Sequence, residues 1–494
     1  MLIYSRVNCA FSPIYVLSRT HLRNFNTASE LVLCESRRPC RVFGPSESIP
    51  WVRITHTLVR IVASIVNSLS LLLTLLATSV YAKPLTVIYS GNLDGVLEPC
   101  GCTVEGDFGG IKRRASVLDS LRAQRPVPIV LSSGGLITSQ RVIDRVKSKY
   151  ILKGFAALDY DAIGLQWQDL SYGLEFATQF DLPWVLGNGT HSTIARLRPI
   201  TRSLDGRCVV LKVFSWLDPD DSPMHLAHTD HLLVQADPEA LMGEIRQADR
   251  QGGVTVLTTS LPLAAVQKKF DLQAIDILLV QSSYETFGAP RQVGKTLVLQ
   301  PGSRGLYLAT VDLEIDHKGD IRQWEHKVIP LSQSVPDAPR MNAWYDEYNA
   351  TVEQNYLKRV ELRKQRESGT SDFAGEAICK TCHPVQYEVW RQSKHAGAYK
   401  HLESVNKAYD PDCVACHTVG FNKPGGFLDK LITPQLAGVQ CESCHGPGKA
   451  HAQSAGRQPL ANRLWTKERM CAQCHVKNHS PSFSIDAYWP KIAH

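Results

Sequence analysis

The pentapeptide Cys-x-x-Cys-His occurs four times in the last 116 residues of this 494-residue chain. The copies are Cys379, Cys382 and His383; Cys413, Cys416 and His417; Cys441, Cys444 and His445; and Cys471, Cys474 and His475. With 14 cysteines and 17 histidines in the chain, random placement gives roughly 0.01 such matches. Two thiols at this spacing share one turn of backbone, so both can add to the vinyl groups of one porphyrin while the next imidazole becomes the proximal ligand on iron. The sequence therefore predicts four covalently attached c-type haems. Structural zinc sites would use Cys-x-x-Cys pairs without a histidine after every one.

The formal charge of +7 sits mostly at the N-terminus, where residues 1–82 carry eight Arg and three Glu. The remainder holds 46 basic against 44 acidic residues, or +2, which is not the signature of a nucleic-acid binder. The haem propionates would make the cofactor region acidic and favour a basic docking partner. The apolar run Ile61 to Ala77 follows Arg53 and Arg60 and precedes Val80-Tyr81-Ala82, the pattern of a secretory signal. Haem c is attached on the outer side of an energy-transducing membrane, so the periplasm is the expected location. No cysteine stands at the cleavage point, which argues against a lipoprotein. Membrane attachment is expected only through an uncleaved signal. Because the charged region of the signal begins roughly fifty residues in, the start codon is expected downstream, at a position such as Val52 or Leu58.

From residue 83 to about 330, β-rich runs such as LTVIYS, VPIVLSS, VTVLTTS and IDILLV alternate with helical stretches such as IKRRASVLDSLRAQ, which predicts an α/β domain. Residues 331–376 are charge-rich and read as a helical linker. Residues 377–494 turn abruptly to Cys, His, Gly and Pro, so porphyrins would supply much of the core of a mostly α domain.

The segments FAGEAICKTCHPVQYEVWRQSKHAGAY, GVQCESCHGPGKAHA and MCAQCHVKNHSPSF resemble the tetrahaem cytochrome c-554 family. In that family most haems carry a second histidine, and one iron is five-coordinate in some members. The resemblance implies that His395 and His451 are distal ligands. It also implies a distal ligand between the second and third motifs, where residues 418–444 hold no histidine. His494, His479 and His401 are the remaining candidates for that role, each with a solvated imidazole as the alternative.

Residues 83–330 resemble the metallophosphoesterase domain of 5'-nucleotidases, which implies an αββα sandwich. Tyr160, Asp161, Ala162, Tyr172 and Gly173 fit that family's pattern, whereas its metal ligands do not. Asn92 and Asp94, Gly135, Trp167 and Gln168, Ser260, and Ser282 with Tyr284 stand where Asp, His and Asn are expected. Two divalent ions cannot be held by Ser, Gln and Gly, so no dinuclear metal site is expected. In LEPCGCTVEGDFGGIKRRA, Cys100 and Cys102 adjoin Lys112, Arg113 and Arg114 at a helix start, a setting that lowers thiol pKa and attracts anions. They are candidate redox thiols, with a structural loop staple as the plainer reading. His225, His228 and His231 read as a surface loop, and Cys208 as a buried or partner-free thiol. The expected function is electron transfer between redox partner proteins or from a quinol-linked donor, with a non-hydrolytic phosphoesterase-like domain for docking or thiol redox. A haem enzyme acting on a small nitrogen or sulfur compound at a five-coordinate iron is the alternative. A metal-dependent phosphoesterase is disfavoured.

Overall fold

A computed structural model describes residues 84–494 apart from 101–106, 142, 224–231, 282–286, 317–318, 367–370 and 478. The signal segment, Cys102, Ser282, Tyr284 and the histidines at 225, 228 and 231 lie outside the described residues, as does the side chain of Cys100.

Two six-stranded sheets face one another. The first runs in the order 321–330, 307–315, 85–90, 129–132, 162–164 and 184–185. The second runs 288–293, 296–300, 277–281, 254–262, 207–216 and 198–204. Side chains on a strand alternate between faces, and the packing follows that period. Leu85, Val87 and Tyr89 point between the sheets with Val254, Val256, Ile277 and Leu279, while Ile88 faces the opposite way. Leu257, Leu278 and Val280 turn outward onto the helix Pro238–Arg250 through Leu241, Met242 and Ile245. Helices α1 (Ile111–Gln124) and α2 (Asp144–Ala156) cover the outer face of the first sheet. The result is the four-layer αββα sandwich.

The basic cluster on α1 is used by the fold rather than presented to an anion. Arg114 is 1% exposed and donates to the Tyr160 hydroxyl at 3.0 Å and the Gly305 carbonyl at 3.1 Å. Arg113 clasps Asp107, and Lys112 pairs with Asp337 at 3.0 Å. Cys208 also departs from its expected state. It is disulfide-bonded, and it is exposed on an edge-paired strand because the alternation that buries Val209 turns its neighbour outward.

Helix α3 (Asn342–Arg366) occupies the expected linker, yet it is structural throughout. Its buried residues recur every fourth position, at Trp344, Tyr348, Val352, Tyr356 and Val360, forming one apolar stripe. Trp344, Tyr348 and Val352 join the core above the first sheet. Tyr356 and Val360 join Phe373, Tyr399, Val414 and Phe427 in the core of the C-terminal part. The last turn carries Arg363, Lys364 and Arg366, which suits the negative end of the helix dipole. One helix therefore belongs to two cores.

Trp344 anchors that arrangement, with its indole donating to the Tyr150 carbonyl at 2.9 Å and its ring packed over Gly154. Trp344→Ala is expected to cost roughly 3–5 kcal/mol, through lost burial and an uncollapsed cavity. Urea unfolding followed by far-ultraviolet circular dichroism measures this, and a loss below about 1 kcal/mol would contradict the packing role.

Candidate functional site

Each Cys-x-x-Cys-His motif lies on a short helix: α4 (Glu376–Cys382), α5 (Pro411–His417), α6 (Cys441–His445) and α7 (Lys467–Cys471) with the turn that follows it. Asp410 caps α5 by accepting from the Asp412 amide at 3.0 Å. Glu442, inside the third motif and 5% exposed, accepts from the amides of Ala374, Gly375 and Gly448. Gln440 accepts from the Glu376 amide and donates to the carbonyls of Gln435 and Ala437. These two side chains tie the first motif, the third motif and the segment bearing His451 together. Sequence reasoning missed both; a carboxylate inside a haem motif was the available signal for Glu442.

Three motif histidines have a second imidazole across a gap. His383 faces His451 with ring centres 6.3 Å apart and planes 18° from parallel. His475 faces His395 at 6.2 Å, and His445 faces His494 at 5.9 Å. Metal–imidazole bonds of about 2.0 Å, with about 1.1 Å from nitrogen to ring centre, place two trans imidazoles about 6.2 Å apart. The observed gaps fit one iron each.

The tautomers agree with that fit. Nδ1–H of His417, His451 and His494 donates to the carbonyls of Ala398 (2.9 Å), Gln458 (2.7 Å) and Ile492 (2.8 Å), leaving Nε2 bare for a metal. Burial holds His395, His417, His445 and His475 below the usual imidazole value, so they remain in the neutral, ligating form. Beside the motifs, Ile378 and Val385 stay 50% and 71% exposed, apolar surface that porphyrin faces would cover.

His417 differs from the other three. Among the described residues no imidazole opposes it at such a separation. His401 and His479 lie within electrostatic reach of it, and His479 also lies within electrostatic reach of Asp412, Arg304, Arg141 and Lys147.

The motif cysteines record the order of the sites. Cys379 lies beside Cys441, Cys444 faces Cys471, and Cys474 lies against Cys416. The motifs therefore succeed one another in space as first, third, fourth and second.

A second site opens where the strands of both sheets end. A cavity of about 180 Å³ is lined by Asn92, Asp94, Ser133, Gln166, Gln168, Thr259, Ser260, Gln281 and Ser303. Asn92 and Gln166 exchange two amide hydrogen bonds, at 2.9 and 3.1 Å, and Gln168 donates to Asp94 at 3.1 Å. These side chains thus satisfy one another. Trp167 does not reach the cavity; it is buried, and its indole donates to the Asp218 carbonyl. Gly135 lies under Asn92, where a Cβ would come within 2.5 Å of the amide, so the glycine that replaces the expected Asp makes room for the pair. Among the described residues no group of three or more His, Cys, Asp or Glu could hold a metal ion. Of the candidate thiols, Cys100 lies on a two-residue strand paired with Phe108–Gly109.

The comparisons separate along the same boundary. Residues 378–446 match the family described as Cytochrome c554 and c-prime. The cytochrome c-554 of Nitrosomonas europaea is 37% identical over 135 residues, which take in 21% of this chain and 57% of that protein. The chain thus spans little more than half the length of this curated relative. Similar solved structures include a 5'-nucleotidase precursor from Thermus thermophilus, at 15% identity and a TM-score of 0.46 over 54% of this chain and 59% of that one. The sulfate thiohydrolase SoxB of Thermus thermophilus matches at 17% identity with a TM-score of 0.46, over 56% of this chain and 61% of that one. The C-terminal part carries the haem attachment sequence of the c-type cytochromes it resembles, and the N-terminal part is an αββα sandwich.

Under the cavity, Asp169 is fully buried and accepts from the amides of Gly135, Leu136 and Gln166. Burial outweighs those donors and pushes its carboxyl up to about 6. The folded chain therefore binds this proton more tightly than the unfolded one, so the contribution to stability is greatest below about pH 4 and falls as pH rises through about 6. Chemical denaturation across that window should show the decline in the native protein and lack it in Asp169→Asn; identical profiles would contradict the assignment.

Proposed function

We propose that the chain is a periplasmic four-haem c-type cytochrome that carries electrons between redox partner proteins. The single observation that carries this reading is the set of three imidazole pairs spaced for iron, added to the four Cys-x-x-Cys-His motifs. His451, His395 and His494 are the distal ligands for the first, fourth and third haems. Haem iron with two imidazole ligands changes oxidation state with little rearrangement and supplies the electron transfer.

The protein's own residues do the rest. Carbonyl acceptors fix the tautomers of His417, His451 and His494, Glu442 and Gln440 hold the first and third motifs at one spacing, and the cysteines would fix each macrocycle to its helix. The order first, third, fourth, second supports one path with the second site at an end. Among the described residues no helix is long and apolar enough to cross a membrane. The secretory signal read from residues 61–82 supports a periplasmic location.

That no imidazole among the described residues pairs with His417 as in the other three motifs favours a second reading of one site, an iron open to a small nitrogen or sulfur ligand. The phosphoesterase-like domain serves as a non-hydrolytic docking module, a reading supported by the amide pair at Asn92 and Gln166. Cyanide titration of the oxidised protein is expected to saturate at one equivalent per chain, and His494→Ala should raise this to two. Saturation at no equivalents would remove the open iron; an unchanged value in His494→Ala would remove His494 as a ligand.

A further inference from the structure

Ion pairs between the sheet sandwich and the C-terminal part converge, among the described residues, on one short segment. Arg141, just before α2, pairs with Asp412, and Lys147 in the first turns of α2 reaches the same carboxylate at 3.1 Å. Arg141 is itself held by Asp144, which is fully buried and accepts from the Arg141 side chain at 3.1 Å and its amide at 2.7 Å. Glu98 pairs with Lys407, whose ammonium lies 5.1 Å from the Tyr345 ring centre and 5.4 Å from that of Tyr348. Lys147 also faces Asp410, the 5%-exposed cap of α5. Residues 407–412 lead directly into Cys413.

The motif gripped in this way is the one whose histidine, among the described residues, has no imidazole across from it. A haem held by one axial bond and two thioethers lacks the second axial bond that fixes the other three. Its setting then depends more on the helix that bears it. Charges that are only 14% and 21% exposed, as on Lys147 and Asp412, are weakly screened and would act on an iron held by the motif that follows Asp412.

We propose that Arg141, Lys147 and Asp412 form a clamp through which the N-terminal domain positions the haem at Cys413, Cys416 and His417 and sets its reduction potential. The inference rests on the four-haem reading above. These are positioning residues, since they act through α5 and not by touching iron. A cation beside the haem favours the reduced state, and an anion favours the oxidised state, so the two halves of the clamp act with opposite signs.

The test is a spectroelectrochemical titration of the full-length haem-loaded protein and its variants, each first checked for four covalent haems. Asp412→Asn should raise one of the four potentials, and Lys147→Gln should lower the same one. Each change is expected to be about tenfold in the reduction equilibrium, or about 59 mV for one electron. Lys147→Arg should keep the native value, and Arg141→Gln, whose backbone amide still donates to Asp144, should repeat the downward shift. A purely structural role would loosen the haem in every variant and move the potential one way. Shifts of the same sign in Asp412→Asn and Lys147→Gln, or four unmoved potentials, would overturn the clamp. Fewer than four covalent haems in the native protein would instead overturn the reading on which it rests.

Discussion

An imidazole whose ring centre must sit about 3 Å from an iron, aimed along one axis, constrains the C-terminal part more than any apolar contact there. The core of that part is small, built around Tyr356, Phe373, Tyr399, Val414 and Phe427. Hydrophobic burial by these few side chains would not alone order residues 377–494, and the proposed ligand bonds and thioethers would supply much of the rest. The hydrogen bonds follow from that requirement. Carbonyls orient His451 and His494, and Glu442 gathers three amides from two segments.

The N-terminal domain shows the complementary case, a fold that persists where the metal ligands its sequence pattern leads one to expect are missing. Its stability comes from two sheets packed face to face and helices outside them, none of which needs a metal. Amides at Asn92, Gln166 and Gln168 pair with neighbours that would otherwise be left unsatisfied at the strand ends. Helix α3 then joins this domain to the haem-bearing part through a continuous buried stripe.

Much of the fold was legible because it rests on local periodicity. The short β-rich runs LTVIYS and VTVLTTS mark strands, and those strands are central in the two sheets with both faces covered. The haem motifs are legible because their chemistry fixes residue spacing within five positions. What was not legible depends on contacts across long separations. Asp412 meets Lys147 at a separation of 265 residues, and no local pattern announces that pairing. Arg114 reads as part of an exposed basic cluster because adjacency in sequence hides that it points inward to Tyr160. Sequence favoured His494 over His479 as a distal ligand but could assign neither to an iron, since that needs the chain path that brings His494 against His445.

The central claim is that three irons have two imidazole ligands and the iron at His417 has one. Quantitative electron paramagnetic resonance of the fully oxidised protein counts these states directly. The account predicts three low-spin centres and one high-spin centre per chain; four low-spin centres would contradict it.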